Sequence, residues 1–227
     1  MLPLVQIPAL GCDAGLYAPF NAALGTPGQA IIATADRLEG CVAQVLARAP
    51  AAFILMGTSF GARVAMEVAL AAPGRVKGLV LIGSGPGPVA DQAAGLKRSE
   101  RVRGGEFENV LQEMGKIISH LPGPRGVATM EAFRAMSRAM GPEPFARQSD
   151  ALAHRADLWP RMGEITCPVL CLWGDHDQFS PPETAAKIAS AVPHGQSVLL
   201  PDCGHFPTLE YPEASAAAVK AWLLQTQ

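Results

Sequence analysis

The sequence predicts an α/β fold: a mostly parallel sheet of about six strands, wound by helices and interrupted once by a helical insertion. Three observations carry this. Short apolar runs alternate with longer segments of helical periodicity, a rhythm that builds parallel sheets by right-handed crossovers. The runs are apolar almost throughout, as strands covered on both faces are. Between about Asp91 and Arg161 the rhythm stops and only helical pattern remains. The chain has 227 residues, 49% hydrophobic and 17% charged, which fits one globular domain with a sizeable core.

Leu2–Ile7, closed by Pro8, reads as the first buried strand. Gly11–Gly15 is a loop, Leu16–Leu24 a short helix and Ala30–Ala33 a second strand. Asp36 is placed to cap a helix running to about Ala49, with Leu38, Cys41, Val42, Val45 and Leu46 on one face. Phe53–Met56 is the third strand, and Ser59–Ala72 a helix stopped by Pro73-Gly74. Val76–Ile82 is the fourth strand. After the Gly- and Pro-rich stretch Gly83–Pro88, residues 85–161 form the expected helical insertion, dividing a core made of residues 1–84 and 162–227. The alternation resumes with the strand Val169–Trp173, the helix Pro182–Ala191 (Glu183 suiting its N-terminal dipole), the strand Ser197–Leu200 and the helix Glu213–Leu224.

Net charge is -2, so the basic excess of a nucleic-acid binder is missing. No apolar run reaches the roughly 18 residues of a membrane span. Ala9-Leu10-Gly11-Cys12 has the outline of a lipoprotein cleavage box, but no Lys or Arg precedes it and the preceding segment is too short for a signal peptide. Five cysteines, an odd number, indicate free thiols and a cytoplasmic setting. Cys167, Cys171 and Cys203 lack the spacing of a zinc site and read as small buried hydrophobes, so no metal and no cofactor is expected.

The strongest local motif is Gly57-Thr58-Ser59-Phe60-Gly61, between a strand and a helix. A serine on so sharp a turn has strained backbone angles and draws its neighbours two positions away very close, so both are glycine. The turn lifts the Ser59 hydroxyl above the sheet edge at a helix N-terminus. A serine needs a base to take its proton. Of five histidines, His205 follows the last strand and falls at the same end of the sheet as Ser59, whereas His120 and His154 lie in the insertion. The imidazole needs an acid to fix its tautomer. Two aspartates compete after the preceding strand: Asp175 suits a turn-shaping role, and Asp177 is favoured because it reaches over the sheet edge. His176 between them is expected to face solvent. For a developing oxyanion, the expected backbone donors are the amides of Phe60 and Cys12.

Several segments then resemble the α/β-hydrolase superfamily in order: Ile54–Ala62 its nucleophile segment, Arg75–Gly85 the following strand, Arg155–Asp177 its acid segment and Cys203–Glu213 its histidine segment. Within it the chain is similar to small esterases, enol-lactonases and C–C bond hydrolases. The resemblance implies the same roles for Ser59, Asp177 and His205 and the order nucleophile, acid, base. Two departures stand out. Leu10-Gly11 replaces the His-Gly of many relatives. The first strand here corresponds to the family's third, so the sheet should have six strands and lack the usual N-terminal hairpin. The edge this exposes suits a homodimer or a covering helix. The expected activity is hydrolysis of a small-molecule carboxylic ester through an acyl-Ser59 intermediate. The alternatives are C–C bond or enol-lactone hydrolysis on the same triad, or a ligand receptor on the same fold. In the insertion, Met130, Phe133, Met136 (or Ser137) and Met140 recur at helical spacing, as an apolar substrate wall or as a packing face. Arg125, Arg134 and Arg138 suit either a substrate carboxylate or a solvated face.

Overall fold

The computed structural model describes residues 2–89 and 91–225. The strands are β1 (Leu4–Ile7), β2 (Gln29–Ala30), β3 (Phe53–Thr58), β4 (Val76–Ile82), β5 (Val169–Gly174) and β6 (Gly195–Leu200). They form one sheet in the order β2-β1-β3-β4-β5-β6, with every neighbouring pair parallel. The expected six strands and α/β layering are therefore observed. All residues of β1, β3 and β5 are buried, which explains why these strands read as unbroken apolar runs.

Helices α1 (Ala18–Leu24), α2 (Leu38–Arg48) and α3 (Phe60–Ala71) fill the crossovers of the first half. The first begins as a 3-10 turn over Ala14–Tyr17, started by the Asp13 carboxylate accepting from the Gly15 amide at 2.7 Å. α2 starts two residues after Asp36 and has no side-chain cap, so the expected role of Asp36 is not realised.

The second strand differs most from expectation. It pairs only at Gln29 and Ala30, and the chain leaves the sheet once the Ile31 amide has donated to the Gln6 carbonyl. The Ala33 carbonyl, expected in the strand, instead accepts from Gln148 Nε2 at 2.8 Å. A side chain thus replaces a sheet partner. The edge is protected by its shortness, one of the ways proteins blunt an exposed strand.

Between β4 and β5 the described residues contain no strand. The segment is built from α4 (Gln92–Arg101), α5 (Phe107–Gly115), α6 (Gly126–Met140) and α7 (Pro142–Ala153). Phe133 and Met136 of α6 are buried, and the Phe133 ring meets Phe206 edge-on at 6.2 Å. Gln148 of α7 also accepts from the Gly11 amide at 2.9 Å. The segment is thereby fixed to the loops that follow β1 and β2. After β5 come α8 (Glu183–Ala191), the short α9 (Pro207–Glu210) and α10 (Pro212–Gln225). No helix among the described residues is long and apolar enough to cross a membrane.

Candidate active site

Ser59 joins β3 to α3 with φ 55° and ψ -115°, a backbone that a non-glycine residue rarely holds. The flanking glycines permit it. A Cβ on Gly57 would run into the Gly61 carbonyl, and one on Gly61 would run into the Ile7 carbonyl of β1. The turn is braced from both sides: the Ser59 amide donates to the Ile82 carbonyl at 2.7 Å. Beneath it, the Tyr17 hydroxyl bonds Thr58 Oγ1 at 2.9 Å and the Ile7 carbonyl at 2.8 Å. Phe60 opens α3, and its amide has no acceptor within the helix.

His205 follows β6, and Asp177 follows β5. His205 Nδ1 lies 2.8 Å from each oxygen of the Asp177 carboxylate, and both side chains are almost fully enclosed. Asp177 Oδ1 also accepts from the amides of Phe179 at 2.8 Å and Ser180 at 3.0 Å, so the carboxylate cannot swing away. Asp175 does something else: its carboxylate accepts from the Cys203 amide at 3.2 Å, tying two loops together. His176 is exposed and stacks on His120, with ring centroids 4.0 Å apart. A Cβ on Gly83, at the end of β4, would come within 2.8 Å of His205 Nδ1, so the imidazole rests directly on bare backbone.

A buried carboxylate supports the histidine loop. Glu210 Oε2 accepts from the Gly204 amide at 3.0 Å and the His120 amide at 2.9 Å, and Oε1 from the Phe206 amide at 3.3 Å. Amides on both sides of His205 are thus held by one group. Removing it strands two buried donors and one half-buried donor, so Glu210→Ala is expected to destabilise the fold by about 3 kcal/mol. Thermal unfolding of the variant measures this, and a loss below about 1 kcal/mol would mean that water replaces the carboxylate.

Ser59 and His205 line one cavity of about 440 Å³, within the usual range of small-molecule sites. Leu10 and Phe60 line it beside Ser59. Its apolar wall includes Met114, Ile118, Leu152, Trp159, Phe179 and Phe206. Arg98, Arg155 and Lys187 supply the charge, and no Asp or Glu lines it. Desolvation by burial holds the Arg98 guanidinium below its usual pKa, with a further push from Arg155. The same desolvation, with repulsion from Arg63, lowers Arg155.

Several sequence expectations do not reach this cavity. The Cys12 amide is committed to the Ala9 carbonyl at 3.0 Å, closing a tight turn, and the residue is fully buried away from the lining. Leu10, two residues earlier, lines the cavity instead, and its amide has no partner among the described residues. None of Met130, Phe133, Met136 and Met140 lines it either: this stripe is a packing face, and Ser137 donates to the Gly11 carbonyl at 3.0 Å. Arg125, Arg134 and Arg138 pair with Glu213, Glu131 and Glu108 outside the cavity. Arg98 and Trp159 were missed from sequence, and Arg155 stands out there only as the first residue of the acid segment. The fully buried Arg63 was missed as well. It donates to the carbonyls of Pro86 at 2.9 Å, Gly87 at 3.2 Å and Ala156 at 2.7 Å, and pairs with Glu67 at 2.9 Å.

All five cysteines are free. Burial pushes the thiols of Cys41 and Cys167 up to about 11, that of Cys171 to about 12, and that of Cys12 well above the usual range. Burial thus disfavours the thiolate form of these four near neutral pH.

A profile of the alpha/beta hydrolase family matches residues 7–218. The chain belongs to that family. This hydrolase is 29% identical over 188 residues to the pimeloyl-(acyl-carrier protein) methyl ester esterase of Nitrosomonas europaea, spanning 78% of this chain and 74% of that one. It is 28% identical over 167 residues to a 2-hydroxy-6-oxononadienedioate/2-hydroxy-6-oxononatrienedioate hydrolase of Dechloromonas aromatica, covering 69% of this chain and 57% of the other. In fold the hydrolase matches a thermophilic esterase from Thermogutta terrifontis, with TM-score 0.89 at 23% identity over 100% of this chain and 90% of the other. It also matches the enol-lactonase from Burkholderia xenovorans, with TM-score 0.86 at 20% identity over 99% and 92% of the two chains.

Proposed function

We propose that this hydrolase cleaves a small carboxylic ester through an acyl-Ser59 intermediate. The observation that carries the reading is the strained Ser59 sharing a cavity with His205, whose Nδ1 is held by Asp177. With Nδ1 occupied, Nε2 is the nitrogen free to act as base. It takes the Ser59 proton as Oγ attacks the ester carbonyl. The oxyanion is stabilised by the Phe60 amide and, in place of Cys12, the Leu10 amide. Collapse expels the alcohol, which receives its proton from His205. Water, deprotonated by His205, then attacks the acyl group, releasing the acid and restoring Ser59. Every step uses only water and the chain's own groups.

In this reading residues 85–161 act as a cap over Ser59, and the cavity beneath it chooses the substrate. The five free thiols suit a reducing compartment such as the cytoplasm. A second reading is favoured by the dienedioate hydrolases among the relatives: the same residues cleaving a C–C bond. Faster turnover of a vinylogous diketone than of simple esters would select it.

Fluorophosphonate labelling tests the proposal. One phosphonyl group should attach per chain, at Ser59 by peptide mapping, and abolish p-nitrophenyl butyrate hydrolysis. Iodoacetamide under native conditions should leave that hydrolysis intact. Labelling elsewhere, or loss of activity on alkylation, would overturn the serine mechanism.

A further inference from the structure

We propose that the Ser59 cavity takes a substrate bearing a second, non-reacting carboxylate, and that Arg98 and Arg155 bind it. This deepens the ester-hydrolase reading and rests on it.

The first support is a contrast in charge pairing. Every other arginine between residues 91 and 161 is salt-bridged to a Glu or Asp. Arg98 and Arg155 have no carboxylate partner among the described residues, and these two line the cavity. Half-buried cations without counter-ions are costly, since each loses hydration and gains no Coulomb attraction. Here the two also repel one another. A bound anion removes both penalties at once.

The second support is the way the guanidinium groups are held. Arg98 Nε donates to Ser149 Oγ at 3.0 Å, and its two terminal nitrogens have no partner among the described residues. Arg155 leans on the Gly87 carbonyl at 3.3 Å and the Pro88 carbonyl at 3.5 Å, both long bonds. The turn that carries these carbonyls is fixed by Arg63, which also holds Ala156, the neighbour of Arg155. The stems are thus anchored while forked donors remain for a planar oxyanion. Exposed Lys187 at the cavity lining adds a third positive charge. A volume of about 440 Å³ suits a short diacid monoester.

Two measurements test this. In the first, kcat/KM is compared for p-nitrophenyl butyrate and the mono-p-nitrophenyl ester of glutaric acid. Arg98→Met and Arg155→Met should each lower the charged-to-neutral ratio about tenfold or more, as loss of a charge-assisted bond implies. Arg125→Met, which removes an exposed cation paired with Glu213, should keep the wild-type ratio. In the second, glutarate at about ten times its Kd should raise the Tm of Ser59→Ala by about 3 °C at constant ionic strength. Adding Arg155→Met should erase that shift. The second measurement needs no turnover, so it reads the subsite even if the ester-hydrolase reading fails. An unchanged ratio in both arginine variants, or no glutarate shift, would overturn the proposal. Stronger protection by inorganic phosphate than by glutarate would overturn the carboxylate assignment.

Discussion

Ser59→Ala should reduce p-nitrophenyl butyrate turnover by at least about 10^4-fold, and Asp177→Asn should come close to it. In the proposed mechanism the groups act as a unit, so the effects should be large. Without Oγ no acyl intermediate forms. With asparagine at 177, the neighbour of His205 Nδ1 no longer selects the tautomer that leaves Nε2 as base. Asp175→Asn is the control. Its carboxylate serves the Cys203 amide, which the asparagine carbonyl can still accept, so turnover should fall less than about tenfold. Steady-state kinetics of the three variants, with near-wild-type Tm for Ser59→Ala, check this. Equal losses at 175 and 177 would sink the assignment of the acid.

Gly61→Ala should destabilise the protein by about 4 kcal/mol or more, enough to prevent accumulation of folded chain. The added Cβ would overlap the Ile7 carbonyl and lie 2.6 Å from the Pro8 carbonyl oxygen. Both obstacles are backbone, so relief requires moving α3 away from β1, and the apolar contacts between them would be lost. Gly163→Ala is the matched comparison, because a Cβ there would meet nothing within 4 Å. It should change stability by less than about 1 kcal/mol. Chemical denaturation of both variants gives the difference, and a Gly61→Ala protein of near-wild-type stability would contradict the close approach.

Features set by the local backbone were legible in the sequence. Ser59 announces itself through glycines at 57 and 61, because the turn those glycines permit is set within five residues. The sheet was legible because its strands are buried on both faces, which leaves a run of apolar residues. The second strand was overextended because Gln148, distant in sequence, takes the Ala33 carbonyl. The Cys12 amide, expected to be open to the site, is committed elsewhere for a related reason. The turn after β1 folds Cys12 back onto Ala9, and that bond has no sequence signature beyond Gly11, whose φ is 72°. The cavity cations were least legible. Arg98 sits among salt-bridged arginines of the same helical segment, and only the fold separates those that meet a glutamate from those that face the cavity.

The buried Arg63 bears on how this enzyme could be re-engineered. Grafting the segment between β4 and β5 from a relative is an obvious way to change selectivity. Here the guanidinium, 0% exposed, depends on carbonyls at both junctions of that segment, Pro86 and Gly87 on one side and Ala156 on the other. A transplanted segment that fails to return those acceptors leaves buried guanidinium donors unsatisfied beneath the helix that Ser59 opens, with only the Glu67 pair remaining, a loss of roughly 1–3 kcal/mol for each unmade bond before selectivity is even tested. Chimeras should therefore keep residues 86–87 and 156 native, or replace Arg63 and Glu67 together with apolar residues.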